Sequence, residues 1–366
     1  MEPRQTSSPP SVDIPPSGLS YKPQDQQPKK SPKFLWYVLA LLIITVIAVV
    51  FWLLGKHTSN NQNSGATTPQ VISSVKESTT TPQVSGLQLD TSKNYGNKYN
   101  NGLLPVGDNK YVTDTPKKGY IYLCHAPNGQ EGGAGSRGPW FVNNNTQYDV
   151  NKKAHVQGSV TWSGSYNMDV NGGQRIITTN DLPSNHTTGI FPIQPTDPAY
   201  AYDRNPNHIA AQSLTYTLTA APTQLTDPAC VGGESGVMTT GVALFDGFDA
   251  GGRDAGAWEV QDSCSGHPQN KSEYHYHTLS SCIKNADVKT VIGYALDGYP
   301  ITGPTISANN ILTTDDLDVC HGITSQITLD GKLVTMYHYV MTQDFPYSVS
   351  CFRATASQPP GQPVGP

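Results

Sequence analysis

A mainly β, loop-rich fold, exported behind one N-terminal transmembrane helix, is what this sequence predicts, and three observations predict it. Charged residues make up only 14% of the 366 positions, against roughly 25% in an average globular domain. Short runs of β-branched and aromatic residues recur between 34 glycines and 29 prolines, the punctuation of strands and turns. One uninterrupted apolar run stands near the N-terminus, and all six cysteines lie beyond it.

In chain order, residues 1–33 are rich in Pro, Ser and Gln, a composition that buries too little apolar surface to fold. Phe34 to Leu54 follows without a charge. At 1.5 Å per residue that run is roughly 31 Å long, the thickness of a bilayer's hydrocarbon core. Trp36 and Tyr37 stand at one end and Trp52 at the other, where interfacial aromatics anchor a span. A cleaved signal peptide is the alternative, but its apolar stretch would be shorter and a small-residue cleavage site would follow. Lys29, Lys30 and Lys33 precede the run, and Lys56 stands nearly alone after it. The positive-inside rule then leaves the N-terminus in the cytoplasm and the rest outside the plasma membrane. Residues 55–86 read as a Ser/Thr/Asn-rich tether and 358–366 as a disordered tail. A folded extracytoplasmic part is left at 87–357, with a soft division near 226.

Within it, "YIYLC", "GSVTWSG", "QRIITT", "LTYTLTA" and "VTMYHYVM" read as strands. No long segment has the 3.6-residue period of an amphipathic helix. "TTDDLDVC" is the best short helix, with Thr314 as its N-cap. The fold class is therefore a loop-rich β-sandwich or irregular barrel with few short helices. Cys124, Cys230, Cys264, Cys282, Cys320 and Cys351 include no CxxC pair, and an even count in an exported domain reads as three disulfides.

A faint repeat organises the second half. Asp262-Ser-Cys264, His267, Tyr274-His275-Tyr276-His277 and Cys282 are echoed by Asp318-Val-Cys320, His321, Tyr337-His338-Tyr339-Val340 and Cys351. "GYALDGYPITGP" with Asp297 lies between the copies. The repeat suggests pairing Cys264 with Cys282, Cys320 with Cys351 and Cys124 with Cys230, with crosswise pairing between copies as the alternative. In a strand, alternate side chains share a face, so His275 and His277 can converge on one ion. If the two Tyr-His-Tyr strands meet, His338 adds a third nitrogen, and His267 or His321 a fourth or a supporting contact. Three imidazoles with an open position suit zinc or copper.

Other motifs point elsewhere or nowhere. Asp262, Asp318 and Asp297 read as turn-formers. Asp246, Asp249, Asp254 and Glu259, in a glycine-rich loop, offer oxygens to calcium but lack EF-hand spacing, so calcium is the lesser alternative. "GGESG" misses the serine-hydrolase elbow because Val237 stands where the last Gly belongs. A net charge of −5 and no basic aromatic stretch exclude nucleic acid as a partner. His125, His155, His186 and His208 find no role in the sequence.

The motifs "QDSCSGHPQNKSEYHYH", "GYALDGYPITGP", "LDVCHG" and "MYHYVMTQDFPY", with "DPAYAYDRNPNHI" and "GVALFDGFDAGGRDA" upstream, resemble the YHYH-domain family across most of residues 110–355. The resemblance implies an extracytoplasmic protein with a metal-binding role carried by its histidines and no established reaction. Val340, where a second YHYH would carry His, favours three nitrogens over four. Three functions follow as expectations: a membrane-tethered zinc or copper binder, a metal-dependent enzyme whose catalytic residues are unknown, and a cell-surface module for glycan or protein with structural histidines.

Overall fold

The computed structural model describes residues 88–90, 92–129 and 134–360. The expected cytoplasmic tail, the apolar run 34–54, the tether 55–86 and residues 361–366 lie outside the described residues. Among those described, no helix is long and apolar enough to cross a membrane.

Strands dominate. A three-stranded sheet orders β1 (Leu103–Pro105), β5 (Gln147–Asp149) and β4 (Phe141–Val142), and β2 (Tyr111–Val112) pairs with β3 (Ile121–Tyr122). A second three-stranded sheet orders β6 (Tyr166–Asn171), β7 (Gln174–Thr179) and β8 (Leu214–Thr219). The main sheet has eight strands in the order β11-β12-β10-β9-β13-β14-β18-β17. These are β9 (Glu234–Met238), β10 (Ala243–Phe245), β11 (Gly266–Pro268), β12 (Tyr274–Tyr276), β13 (Val291–Ala295), β14 (Pro300–Thr302), β17 (Gly322–Leu329) and β18 (Lys332–Val340). A small hairpin, β15 (Thr305–Ser307) with β16 (Asn310–Ile311), stands apart from it. The main sheet is open, with β11 and β17 at its edges, so the barrel alternative is corrected to an open mixed sheet.

Three local expectations change. "GSVTWSG" makes one bridge, Val160 to Thr188. Its glycine ends press the backbone against Ile190 and the Leu182 carbonyl instead of along a neighbouring strand. "TTDDLDVC" yields only a 3₁₀ turn, Thr314–Asp316, capped by Thr313 and not Thr314. The Asp316 carboxylate accepts the Thr313 N–H at 2.9 Å, while Asp318 accepts from Cys320 and Gly322 and so turns the chain away from helix. The one α-helical turn among the described residues, α1 (Ala255–Trp258), starts at Asp254, whose carboxylate accepts the Ala257 N–H.

The third change concerns "GYALDGYPITGP", which is not a spacer between repeats but β13, its turn and β14. Register shows why. Gly266, His267 and Pro268 of β11 face Tyr276, His275 and Tyr274 of β12. Gly322, Ile323 and Thr324 of β17 face Tyr339, His338 and Tyr337 of β18. Leu244 pairs in parallel with Tyr276, as Ile301 does with Tyr339. Leu244 also faces Gly236, as Ile301 faces Gly293. The sheet is thus one four-strand unit present twice, the copies meeting antiparallel at β9 and β13.

Side chains obey the same correspondence. Tyr274 donates to Asp262 at 2.9 Å and Tyr337 to Asp318 at 3.1 Å. A Cβ on Gly266 or Gly322 would lie 2.3 or 2.1 Å from those hydroxyls, so both positions demand glycine. Tyr339 donates to Asp297, and Tyr276 meets Thr240 at the matching place. Disulfides Cys264–Cys282 and Cys320–Cys351 each close one copy, and Cys124–Cys230 ties the upstream part to β9's approach. The four tyrosines lie in the main hydrophobic core, where their hydroxyls need these partners.

Candidate metal centre

His275 lies in β12 and His277 just past its end, two residues apart and on one face. His267 joins them because β11 runs antiparallel beside β12 and pairs it directly with His275. The fourth group comes from α1. That turn is short and wholly buried. Gly256 lies where a Cβ would meet the Tyr347 hydroxyl at 2.5 Å, which holds the turn close to the sheet. Glu259 caps its C-terminal end. His267 Nε2 stands 3.2 Å from Glu259 Oε2, and His277 Nε2 stands 3.3 Å from the same oxygen. His275 Nε2 is 3.1 Å from His277 Nε2. Donor atoms of the three imidazoles all lie within 4.8 Å of one another, and all four side chains are buried.

Proton placement follows from the outer partners. His277 Nδ1 meets the Asp246 backbone carbonyl, and His275 Nδ1 meets that of Glu273 at 3.3 Å. A carbonyl can only accept, so each Nδ1 carries the proton and each Nε2 presents a lone pair. Two lone pairs therefore face each other across 3.1 Å. Asn205, from the loop that follows the 3₁₀ turn Pro198–Ala201, donates to the Pro268 carbonyl at 2.9 Å and places its NH₂ 3.5 Å from His267 Nδ1. His267 Nε2 and Glu259 Oε2 are buried, close, and not aligned for a hydrogen bond with any group.

Charge in the centre is unequal. Burial alone would raise the Glu259 carboxyl, but the charge of His267, aided by His277 and Lys153, holds it at about 2. Burial would lower His267, and Glu259 overcomes that and raises it. Burial, with the neighbouring imidazoles, pushes His275 well below its ordinary value. Burial likewise brings His277 to about 4, against the pull of Glu259. The centre thus favours a charged carboxylate at Glu259 and neutral imidazoles at His275 and His277, while Glu259 draws His267 toward its protonated form. Lys153 reinforces the balance from behind, donating to the Gly256 carbonyl and to Gln261 at 2.6 and 2.7 Å.

His338 and His321 do not join this centre. Five strand spacings separate β12 from β18 in the sheet, about 24 Å at 4.8 Å per strand. His338 instead bridges two hydroxyls, Thr302 at 2.9 Å and Ser325 at 2.8 Å. His321 occupies the left-handed turn at φ 70, the counterpart of Ser265 at φ 63 and not of His267, and meets Thr342 at 3.0 Å. In the second copy His267 is matched by Ile323 and His277 by Val340, so that copy lacks the donors. Asp297 accepts from Tyr339, Arg353 and Ala354 and is fully engaged in the core.

The acidic loop does not gather around calcium. Asp246 accepts from Gly233 and Phe248, Asp249 pairs with Arg253, and Asp254 accepts from Gly107 and Tyr347. Only Glu259 turns to the histidines, and its lack of regular spacing from them hid that role in the sequence. Among the described residues, a second grouping of His186, Cys264 and Cys282 has donor atoms within 4.8 Å, but its sulfurs are joined in a disulfide.

No curated protein and no solved structure matches the chain. The family model described as "YHYH protein" matches residues 215–314, which hold β9 to β16 and all four members of the His267, His275, His277 and Glu259 set. Over that segment the chain is similar to the YHYH family.

Proposed function

We propose that this chain is a membrane-tethered extracytoplasmic metal-binding protein, holding zinc or copper through His267, His275, His277 and Glu259. One observation carries the reading. The Nε2 lone pairs of His275 and His277 face each other at 3.1 Å, an arrangement that repels unless a cation lies between them. Burial keeps a proton from filling that role at neutral pH.

The donor set fits the ion. Ligands about 2.0–2.1 Å from zinc at tetrahedral corners stand roughly 3.3 Å apart, close to the 3.1, 3.2 and 3.3 Å found here. Imidazole with carboxylate suits zinc and copper(II). The Asp246 and Glu273 carbonyls orient the rings from behind. A bound ion would act as a Lewis acid or a structural tie. The burial of all four ligands favours the tie, while an open position would need Glu259 to stand aside. Export is supported by the Phe34–Leu54 run and its flanking lysines, and by three disulfides and no free cysteine among the described residues.

The test is elemental analysis of the full chain, produced in an oxidising compartment without a polyhistidine tag, beside His275→Ala/His277→Ala. About one zinc or copper per parent chain, lost in the variant, supports the reading. A folded parent that takes up neither ion overturns it and leaves the glycan- or protein-binding module as the better account.

A further inference from the structure

The opposite face of β12 carries a second cluster. Tyr276 points away from His275 and His277, and its hydroxyl meets His186 Nε2. His186 Nδ1 lies 2.9 Å from the Thr187 carbonyl. That carbonyl can only accept, so His186 keeps its proton on Nδ1 and presents a lone pair at Nε2. A ring nitrogen of His186 and the sulfurs of Cys264 and Cys282 lie within 4.8 Å of one another. Tyr276 has a second acceptor in Thr240 Oγ1 at 3.4 Å, so His186 can change partner without stranding a buried phenol.

We propose that reduction of Cys264–Cys282 converts this cluster into a second metal site, a Cys₂His set for a soft or borderline ion such as zinc or copper(I). Thiolates with imidazole are the donors those ions prefer. Access permits the reaction at this bridge. Cys282 is half-buried and Cys264 is 3% exposed, so an incoming thiolate attacks the Cys282 sulfur and releases Cys264 as thiolate. The second thiol of a dithiol reductant then resolves the mixed disulfide. Two electrons and two protons pass to the protein, the reductant becomes a disulfide, and the metal displaces the thiol protons on binding. The other bridges differ. Cys320 and Cys351 are wholly buried, and Cys124–Cys230, although Cys124 is exposed, has no third donor grouped with it among the described residues. The site does not rest on the histidine centre, whose donors lie on the other face.

The experiment uses the full-length chain treated with a water-soluble phosphine, which removes the bridge as two thiols while becoming its oxide. Alkylation and mass spectrometry map the opened bridge, and Co²⁺ is the probe. The expected result is one further equivalent of Co²⁺ after reduction, with a thiolate-to-cobalt charge-transfer absorption. It persists in His275→Ala/His277→Ala and weakens at least tenfold in His186→Ala. His186→Gln, which keeps an acceptor for Tyr276, gives the same loss with unchanged near-ultraviolet circular dichroism. No added uptake, uptake indifferent to both His186 variants, or a bridge that resists reduction in the folded chain overturns the proposal. Failure of the histidine centre would show separately, in the oxidised chain.

Discussion

Replacing Glu259 by Gln keeps the shape of a side chain 3.2 Å from His267 and 3.3 Å from His277 but removes its charge. In the parent this carboxylate is held at about 2 and in turn raises His267. Taking away one partner of a buried pair leaves the other uncompensated, at a cost of about 3–5 kcal/mol. Each kcal/mol moves Tm by about 2–4 °C in a body of this size, so the metal-free variant should melt about 6–20 °C below the parent. The sign with pH is fixed by His267. Its folded value is raised, so the pair's contribution is fully present below the ordinary histidine value and is lost as pH rises through the folded one. The deficit should therefore be larger at pH 6 than at pH 9. Differential scanning calorimetry of chelator-treated full chain reads it directly. Zinc at a hundredfold excess over its Kd adds about 2.7 kcal/mol to the parent and less to the variant, since a carboxamide is the poorer ligand. A variant that melts with the parent at both pH values and gains equally from zinc refutes the place given to Glu259.

Three further expectations test the duplicated sheet. His338→Gln should leave the metal count per chain unchanged while lowering stability by about 1–3 kcal/mol, because Thr302 and Ser325 lose a well-placed partner. Burial brings His338 to about 4. The parent's advantage over that variant should therefore be full above pH 6.5 and shrink toward pH 4, by at most about 1.4 kcal/mol per pH unit; a constant gap in urea titrations would contradict the assignment. Gly266→Ala and Gly322→Ala should each cost about 1–3 kcal/mol by crowding a tyrosine, but only Gly266→Ala should also weaken zinc binding in a competition titration, since Tyr274 shares its strand with His275. Ile323→His with Val340→His should raise the zinc count from one to two if the register correspondence extends to chemistry, and elemental analysis decides it.

Much of the centre was legible because strand periodicity is a local property. "EYHYH" alone places His275 and His277 on one face, and six cysteines beyond an apolar run read as disulfides. The repeat of Asp-x-Cys, Tyr-His-Tyr and Cys was visible for the same reason. Its true beginning was not: β9 and β13 share little beyond Gly236 and Gly293, and only hydrogen-bond register aligns them.

Strand order was the decisive quantity that no local pattern carries. Joining the two Tyr-His-Tyr strands is the natural guess from the repeat, yet the copies meet at β9 and β13, which sends β12 and β18 to opposite sides of the sheet. His338 is thereby left to hydroxyl partners, and His267 gains its place through an antiparallel neighbour. Glu259 enters from a crossover whose single helical turn is held down by Asp254, Gly256 and Tyr347. By itself the sequence determined residue types, the face each presents along a strand, and the class of fold. The tertiary structure alone decided which faces meet, because pairing between distant strands depends on the whole sheet's packing and not on any one segment.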